Sequence, residues 1–181
     1  QRELHTLPGC EMGGIPPAIM GIADLNNDGY EDFLVSCTPP PGAVKFEMEG
    51  AIPQVFLNQS PGDFLIDRDA IPFEDPKKAY YYSPLAADFD FDGDLDLFLS
   101  TPDGLKVLEN QTGQQNRSIA LKIEGAKNPA DGYGAKILVK DDLFFVKKEV
   151  DSTVTHIGIG QRERADVIRI TWPNGIFQNL I

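Results

Sequence analysis

Asp24, Asn26 and Asp28 alternate along one short stretch, Gly29 follows, and Asp32 stands at the ninth position counted from Asp24. Sixty-four residues later, Asp88, Asp90 and Asp92 repeat the alternation, with Gly93 next and Asp96 ninth. Oxygen-bearing side chains at alternate positions of a tight turn converge on one point, which is what a hard cation needs. Ca²⁺ takes about six to eight oxygens at about 2.3–2.6 Å, whereas Mg²⁺ demands a rigid octahedron and keeps its waters. The spacing therefore predicts one Ca²⁺ ion in each turn, two in all. The expected ligands are Asp24, Asn26, Asp28 and Asp32 in the first turn, and Asp88, Asp90, Asp92 and Asp96 in the second. The seventh-position carbonyls of Tyr30 and Asp94 complete the two sets. The glycine supplies the positive φ that curls the backbone around the ion. An EF-hand is excluded, because that loop needs Glu at its twelfth position between helices, and Val35 and Leu99 stand there inside β-type runs.

Other reactive side chains are less committed. The carboxylates could be read as a glycosidase pair, yet the clustered ones belong to the two turns, and an ion-bound carboxylate is a poor general acid. His156 has no Ser or Cys nucleophile motif beside it, which favours a hydrogen-bonded strand histidine over a base or ligand. His5 carries little meaning, Trp172 is expected to anchor the last hairpin, and Tyr80–Tyr82 read as alternate packing between blades or as an exposed ligand face. Cys10 and Cys37 lack Cys-x-x-Cys spacing and cannot build a structural zinc site alone. They are either two buried thiols or a single disulfide, which would contribute on the order of 3 kcal/mol. Asn58, Asn110 and Asn116 each open an Asn-x-Ser/Thr sequon, making them candidate glycosylation sites in a secreted context.

These residues need strands to hold them. The chain has 181 residues, with 28 acids against 16 bases and a formal charge of −12. That balance argues against nucleic acid and anionic membrane surfaces as partners, and no apolar run approaches the about 20 residues that span a bilayer. Residues 1–110 carry 20 acids and 6 bases, whereas 111–181 carry 8 and 10. The charge break predicts two units, at 1–112 and 113–181. Within the first, ADLNNDGYEDFLVS (23–36) and ADFDFDGDLDLFLS (87–100) are copies, each of the form strand, acidic turn, strand. QVFLNQSPGDF (54–64) and LKVLENQTGQQ (105–115) echo each other more weakly. About four short strands per repeat is the content of a propeller blade, with repeats at about 15–64 and 82–112. In the second unit, strands are expected at Ser118–Ile123, Ala135–Lys140, Leu143–Val150, Thr155–Ile159 and Val167–Trp172, forming a small β-sandwich or barrel. No stretch keeps a helical period over three turns, so the expected fold class is all-β.

The segments GIADLNNDGYEDFLV and LAADFDFDGDLDLFL resemble FG-GAP/VCBS repeats, the calcium-bearing blades of integrin-α-type propellers. GYGAKILV (132–139), HIGIG (156–160) and IRITWPNG (168–175) resemble the ASPIC/UnbV domain that often follows such repeats. The combination is similar to cartilage-acidic-protein-like secreted proteins. The resemblance implies two calcium-binding propeller-type blades followed by a separate β-domain.

The function expected from these features is a non-catalytic extracellular calcium-binding module for adhesion, protein–protein interaction or assembly into a larger oligomer or filament. The alternative is part of a secreted propeller-type enzyme, a hydrolase or lyase acting on glycans or small molecules. Extracellular or cell-surface display, with the periplasm as a variant, suits modules that bind Ca²⁺ at millimolar levels. The chain opens at Gln1 without Met or an apolar leader, as expected of a mature or excised product. Other protein chains or further copies of this one are the expected partners, with glycans as another class. A propeller closes its sheet edges by ringing about four to eight blades, so two repeats alone are expected to need covering.

Overall fold

The computed structural model describes residues 18–36, 54–60, 63–67, 70–71, 82–101, 104–125 and 130–180. Among them there is no α-helix, only one 3₁₀ turn at Gly113–Gln115, and the rest is strand and turn. The chain divides into two compact units. The first comprises Gln1–Leu25, Glu31–Phe89 and Leu95–Asn110; the second comprises Asn26–Tyr30, Asp90–Asp94 and Gln111–Ile181. The strands flanking each acidic turn thus belong to the first unit, while the turn tips group with the C-terminal residues.

In the first unit, β1 (Ala18–Ala23), β2 (Asp32–Ser36), β3 (Gln54–Ser60) and β4 (Asp63–Asp67) form one antiparallel sheet in chain order. The second repeat lays down β5 (Tyr82–Ala87), β6 (Asp96–Thr101) and β7 (Gly104–Leu108) in the same order. Both turns are hairpin connections of one register: Ala23 faces Asp32, and Ala87 faces Asp96. Leu34, Val55 and Leu99 are buried in one core with Leu25 and Ile71, with Leu57, Leu97 and Leu108 packed against it. Both repeats therefore contribute to the same apolar interior. Gly21 of β1 lies against Pro84 of β5, where an added Cβ would stand 3.4 Å from the Pro84 Cγ. The second repeat departs from the expected four strands. Among the described residues its sheet has three, because the chain after β7 turns at Asn110 and enters the 3₁₀ turn instead of folding back.

In the second unit, β8 (Arg117–Leu121) pairs with β11 (Thr155–Gly160), while β10 (Phe144–Glu149), β9 (Lys136–Asp141), β12 (Val167–Thr171) and β13 (Phe177–Leu180) form a four-stranded sheet in that order. Period-two alternation dictates the packing. Ile137 and Val139 of β9, Val146 of β10 and Ile170 of β12 turn inward onto Ile157 and Ile159 of β11, while Lys136 and Lys140 stay outside. Two sheets share one core, and the barrel alternative is corrected: none of the sheets closes on itself. Trp172 is half-buried against this core, and its Nε1 donates to Gln178 Oε1 across the last hairpin. No described helix is long and apolar enough to cross a membrane.

Candidate functional site: the paired acidic turns

Both turns share one backbone shape. The fourth residue is left-handed in each, Asn27 at φ 58° and Phe91 at 63°, and so is the glycine at the sixth, Gly29 at 95° and Gly93 at 96°. The alternating side chains curl the chain by accepting hydrogen bonds from the amide two residues on, a habit of Asn and Asp in turns. Asn26 Oδ1 accepts from Asp28 N and Asp28 Oδ1 from Tyr30 N, at 3.1 and 2.8 Å. Asp90 and Asp92 do the same for Asp92 N and Asp94 N.

The ninth-position aspartates lock each turn shut. Buried Asp32 accepts from Leu25 N and Asn58 N, both at 2.8 Å; buried Asp96 accepts from Phe89 N at 3.2 Å and Asn110 N at 2.8 Å. Asn58 and Asn110 complete the latch by donating Nδ2 to the eighth-position carbonyl, Glu31 O or Leu95 O. The weak echo between 54–64 and 105–115 is thereby explained: each Asn sits where its backbone and side chain both close the preceding turn. These two are sequon residues, and Asn116, the third, donates Nδ2 to Asn26 O at 2.8 Å. All three glycosylation candidates are half-buried with the acceptor nitrogen engaged.

Of the expected ligand sets, the structure brings one together. Oxygens of Asp88, Asp90 and Asp96 lie within 4.8 Å of one another on the second turn. Asp88 Oδ1 is buried there without a hydrogen-bond partner. An orphaned carboxylate oxygen beside two further carboxylates is an unfavourable arrangement for anions alone and a favourable one for a cation. The donor set is all oxygen, which suits Ca²⁺, so the residues present fit the ion. Asp92 instead turns to Gln114, whose Nε2 donates to its Oδ2 at 2.9 Å, and Asp94 is buried against Gly113, where a Cβ would collide. In the first turn Asp24 is buried, Asn26 Nδ2 donates to Asp28 Oδ2 at 3.0 Å, and Tyr30 is exposed. The amide at the third position neutralises there what a third carboxylate crowds in the second turn.

The residue that spacing alone missed is Asn27, at the fourth position and buried. Its Nδ2 donates to Gly93 O at 2.9 Å and Gly113 O at 3.2 Å, its Oδ1 lies 2.6 Å from His156 Nε2, and its carbonyl accepts from Gly160 N at 2.7 Å. Because Nδ2 faces two carbonyls, Oδ1 must be the acceptor, so His156 carries its proton on Nε2. Gly93 O also accepts from Ser118 Oγ. The HIGIG segment is therefore the seat of the first turn's tip, with His156 and Gly160 holding Asn27 directly. Cys10, Cys37, His5, Tyr80 and Tyr81 lie outside the described residues; Tyr82 opens β5 opposite Ser100.

Residues 24–99, spanning both turns and the strands between them, match the family model of the FG-GAP-like repeat. No curated protein matches the chain.

Proposed function

We propose that this chain is a non-catalytic, calcium-stiffened binding module displayed outside the cell, built from two propeller-type blades and a C-terminal β-domain of the ASPIC/UnbV kind. The observation that carries the reading is the convergence of Asp88, Asp90 and Asp96 around the orphaned Asp88 Oδ1. The first turn, identical in backbone shape, is the seat of the second ion, with Asp24, Asn26, Asp28, Tyr30 O and Asp32 as its ligands. Bound Ca²⁺ supplies charge neutralisation; the chain supplies turns already shaped by their own amide hydrogen bonds.

The sequential sheets and the core shared by both repeats support the blade reading. FG-GAP repeats typically serve in protein interaction and adhesion and are common in extracellular or surface proteins, where millimolar Ca²⁺ would fill weak sites. Other protein chains, or further copies of this one, are the partners in this reading. The rival, a secreted hydrolase or lyase, would call on His156 as a base, yet its Nε2–H is spent on Asn27.

Calorimetric melting in EDTA and in millimolar Ca²⁺ tests the calcium reading, since a ligand that binds only the folded chain stabilises it by mass action. The melting temperature rises with Ca²⁺, and the rise shrinks in Asp88→Asn. Superimposable melting curves in the two buffers would overturn the reading.

A further inference from the structure

On the outer face of the four-stranded sheet, Leu138 of β9 is ringed by cations. Its neighbours along the strand are Lys136 and Lys140; its cross-strand neighbours are Lys147 of β10 and Arg169 of β12. All four are exposed. Each of Lys147 and Arg169 is thus a diagonal neighbour of both β9 lysines, at about 7–8 Å, within reach of long side chains. Lys147 and Arg169 start about 10 Å apart across two strand spacings, and Lys136 and Lys140 about 13 Å apart along β9.

The diagonal pairs, at about 7–8 Å, repel within one Debye length of about 8 Å at physiological salt, and the two longer separations are partly screened. The chain has acids to spare, yet none of the four cations is in an ion pair with a described carboxylate, and among the described residues Glu149 is the one acid that strand register places on this face. Phe145 and Phe177 stand exposed at opposite corners of the ring, at 62% and 61%. Lys147 Nζ lies 5.7 Å from the centre of the Phe145 ring, and the Arg169 guanidinium 5.4 Å from that of Phe177. A concentrated positive field on one face of an acidic chain is a binding feature, since folding gains nothing from it.

We propose that this face binds a linear anionic polysaccharide, carboxylated or sulfated, lying across the ring so that successive anionic groups meet Lys147, Lys140 or Lys136, and Arg169. An exposed sheet face with spread cations suits an extended polymer carrying charge on every repeat. A second copy of this chain fits less well, because Asp28, Asp32, Asp90, Asp92 and Asp96 in its acidic turns already accept amide hydrogens. Single-stranded nucleic acid would need open aromatic faces for its bases, and cations already sit over Phe145 and Phe177. The inference narrows the partner class of the binding-module reading and rests on that reading for exposure to such polymers. It does not depend on the calcium turns, so EDTA melting and polymer binding fail separately.

The test is titration calorimetry of the full chain with a sulfated heparin oligosaccharide and with oligogalacturonate, in Ca²⁺ and again in EDTA. The expected result is saturable binding to at least one of them that weakens with salt. In Lys140→Ser/Arg169→Ser it falls about tenfold or more, and its logarithmic salt slope drops by roughly the two lost contacts, as counterion release requires. Lys136→Ser/Lys147→Ser repeats the loss, and Lys122→Ser/Arg164→Ser, off the face, binds as the parent does. Circular dichroism establishes that each variant is folded. Absence of binding at low salt, equal binding by the face variants, or tighter binding of poly-glutamate or single-stranded DNA than of either oligosaccharide would overturn the proposal.

Discussion

Asn27→Ala isolates the device that pins the first turn. The substitution removes both Nδ2 donors and the Oδ1 acceptor. Gly93 O keeps Ser118 Oγ, and Gly113 O keeps the Asn116 N–H. Each carbonyl thus loses one of two donors, about 0.5–1.5 kcal/mol apiece. His156 Nε2–H loses its acceptor at a half-buried position, about 1–3 kcal/mol. Alanine also takes over a left-handed position at φ 58°, about 1–2 kcal/mol less favourable than a right-handed one and a strain that Asn tolerates through its short polar side chain. Allowing for relaxation, the total loss is about 3–6 kcal/mol. Asn27→Gly keeps the left-handed backbone at no steric cost and should lose about 1 kcal/mol less than Ala. Urea unfolding followed by circular dichroism measures both variants. At about 2–4 °C per kcal/mol for a chain of this size, melting falls by about 6–24 °C. A double-mutant cycle with His156→Ala should give a coupling of about 1 kcal/mol, the signature of a direct contact. Losses under about 1 kcal/mol in both variants, with no coupling, would show that water replaces the clasp and would refute the reasoning.

Asn110→Ala strips the Nδ2 donations to Leu25 O and Leu95 O, at 2.7 and 3.1 Å, and should lower unfolding free energy by about 1–3 kcal/mol, read by the same urea titration. A loss confined to a few tenths would mean that the latch is held by its backbone half alone. Phe91→Asn should act in the opposite direction: Phe91 is 89% exposed at φ 63°, so little burial is lost and about 0.5–1 kcal/mol of left-handed strain is relieved. Destabilisation in that variant would assign the phenyl ring a contact that its exposure denies.

How much of this was legible beforehand depends on the range over which each signal acts. Period-two alternation is local, and so Lys136–Asp141, Thr155–Gly160 and Val167–Thr171 fall within a residue or two of their expected spans. The strand–turn–strand form of both copies was likewise legible, because the ninth-position aspartate and the sixth-position glycine act inside one loop. What the spacing could not give was the division of labour among the carboxylates. Asp92 is drawn off by Gln114 and Asp32 is locked by Asn58, partners that stand 22 and 26 residues away. That the second repeat's sheet has three strands among the described residues has the same origin, since the chain after Asn110 goes on to the strand pairing of β8 with β11.

The two copies diverge most tellingly at the fourth position, where Asn27 is buried and Phe91 is almost wholly exposed. Turn chemistry asks the same of both, a left-handed backbone, and Asn meets that demand more easily than Phe. A rule internal to the turn would therefore favour Asn at both places, and it cannot say why only one copy has it. The reason is a demand from elsewhere: two turn carbonyls, an imidazole and a glycine amide converge on position 27, and an amide side chain with its own carbonyl answers all four. Position 91 accepts none of those bonds, so its side chain is released from the constraint. The two turns thus differ in how they are held, the first pinned by a buried amide and the second bringing Asp88, Asp90 and Asp96 together.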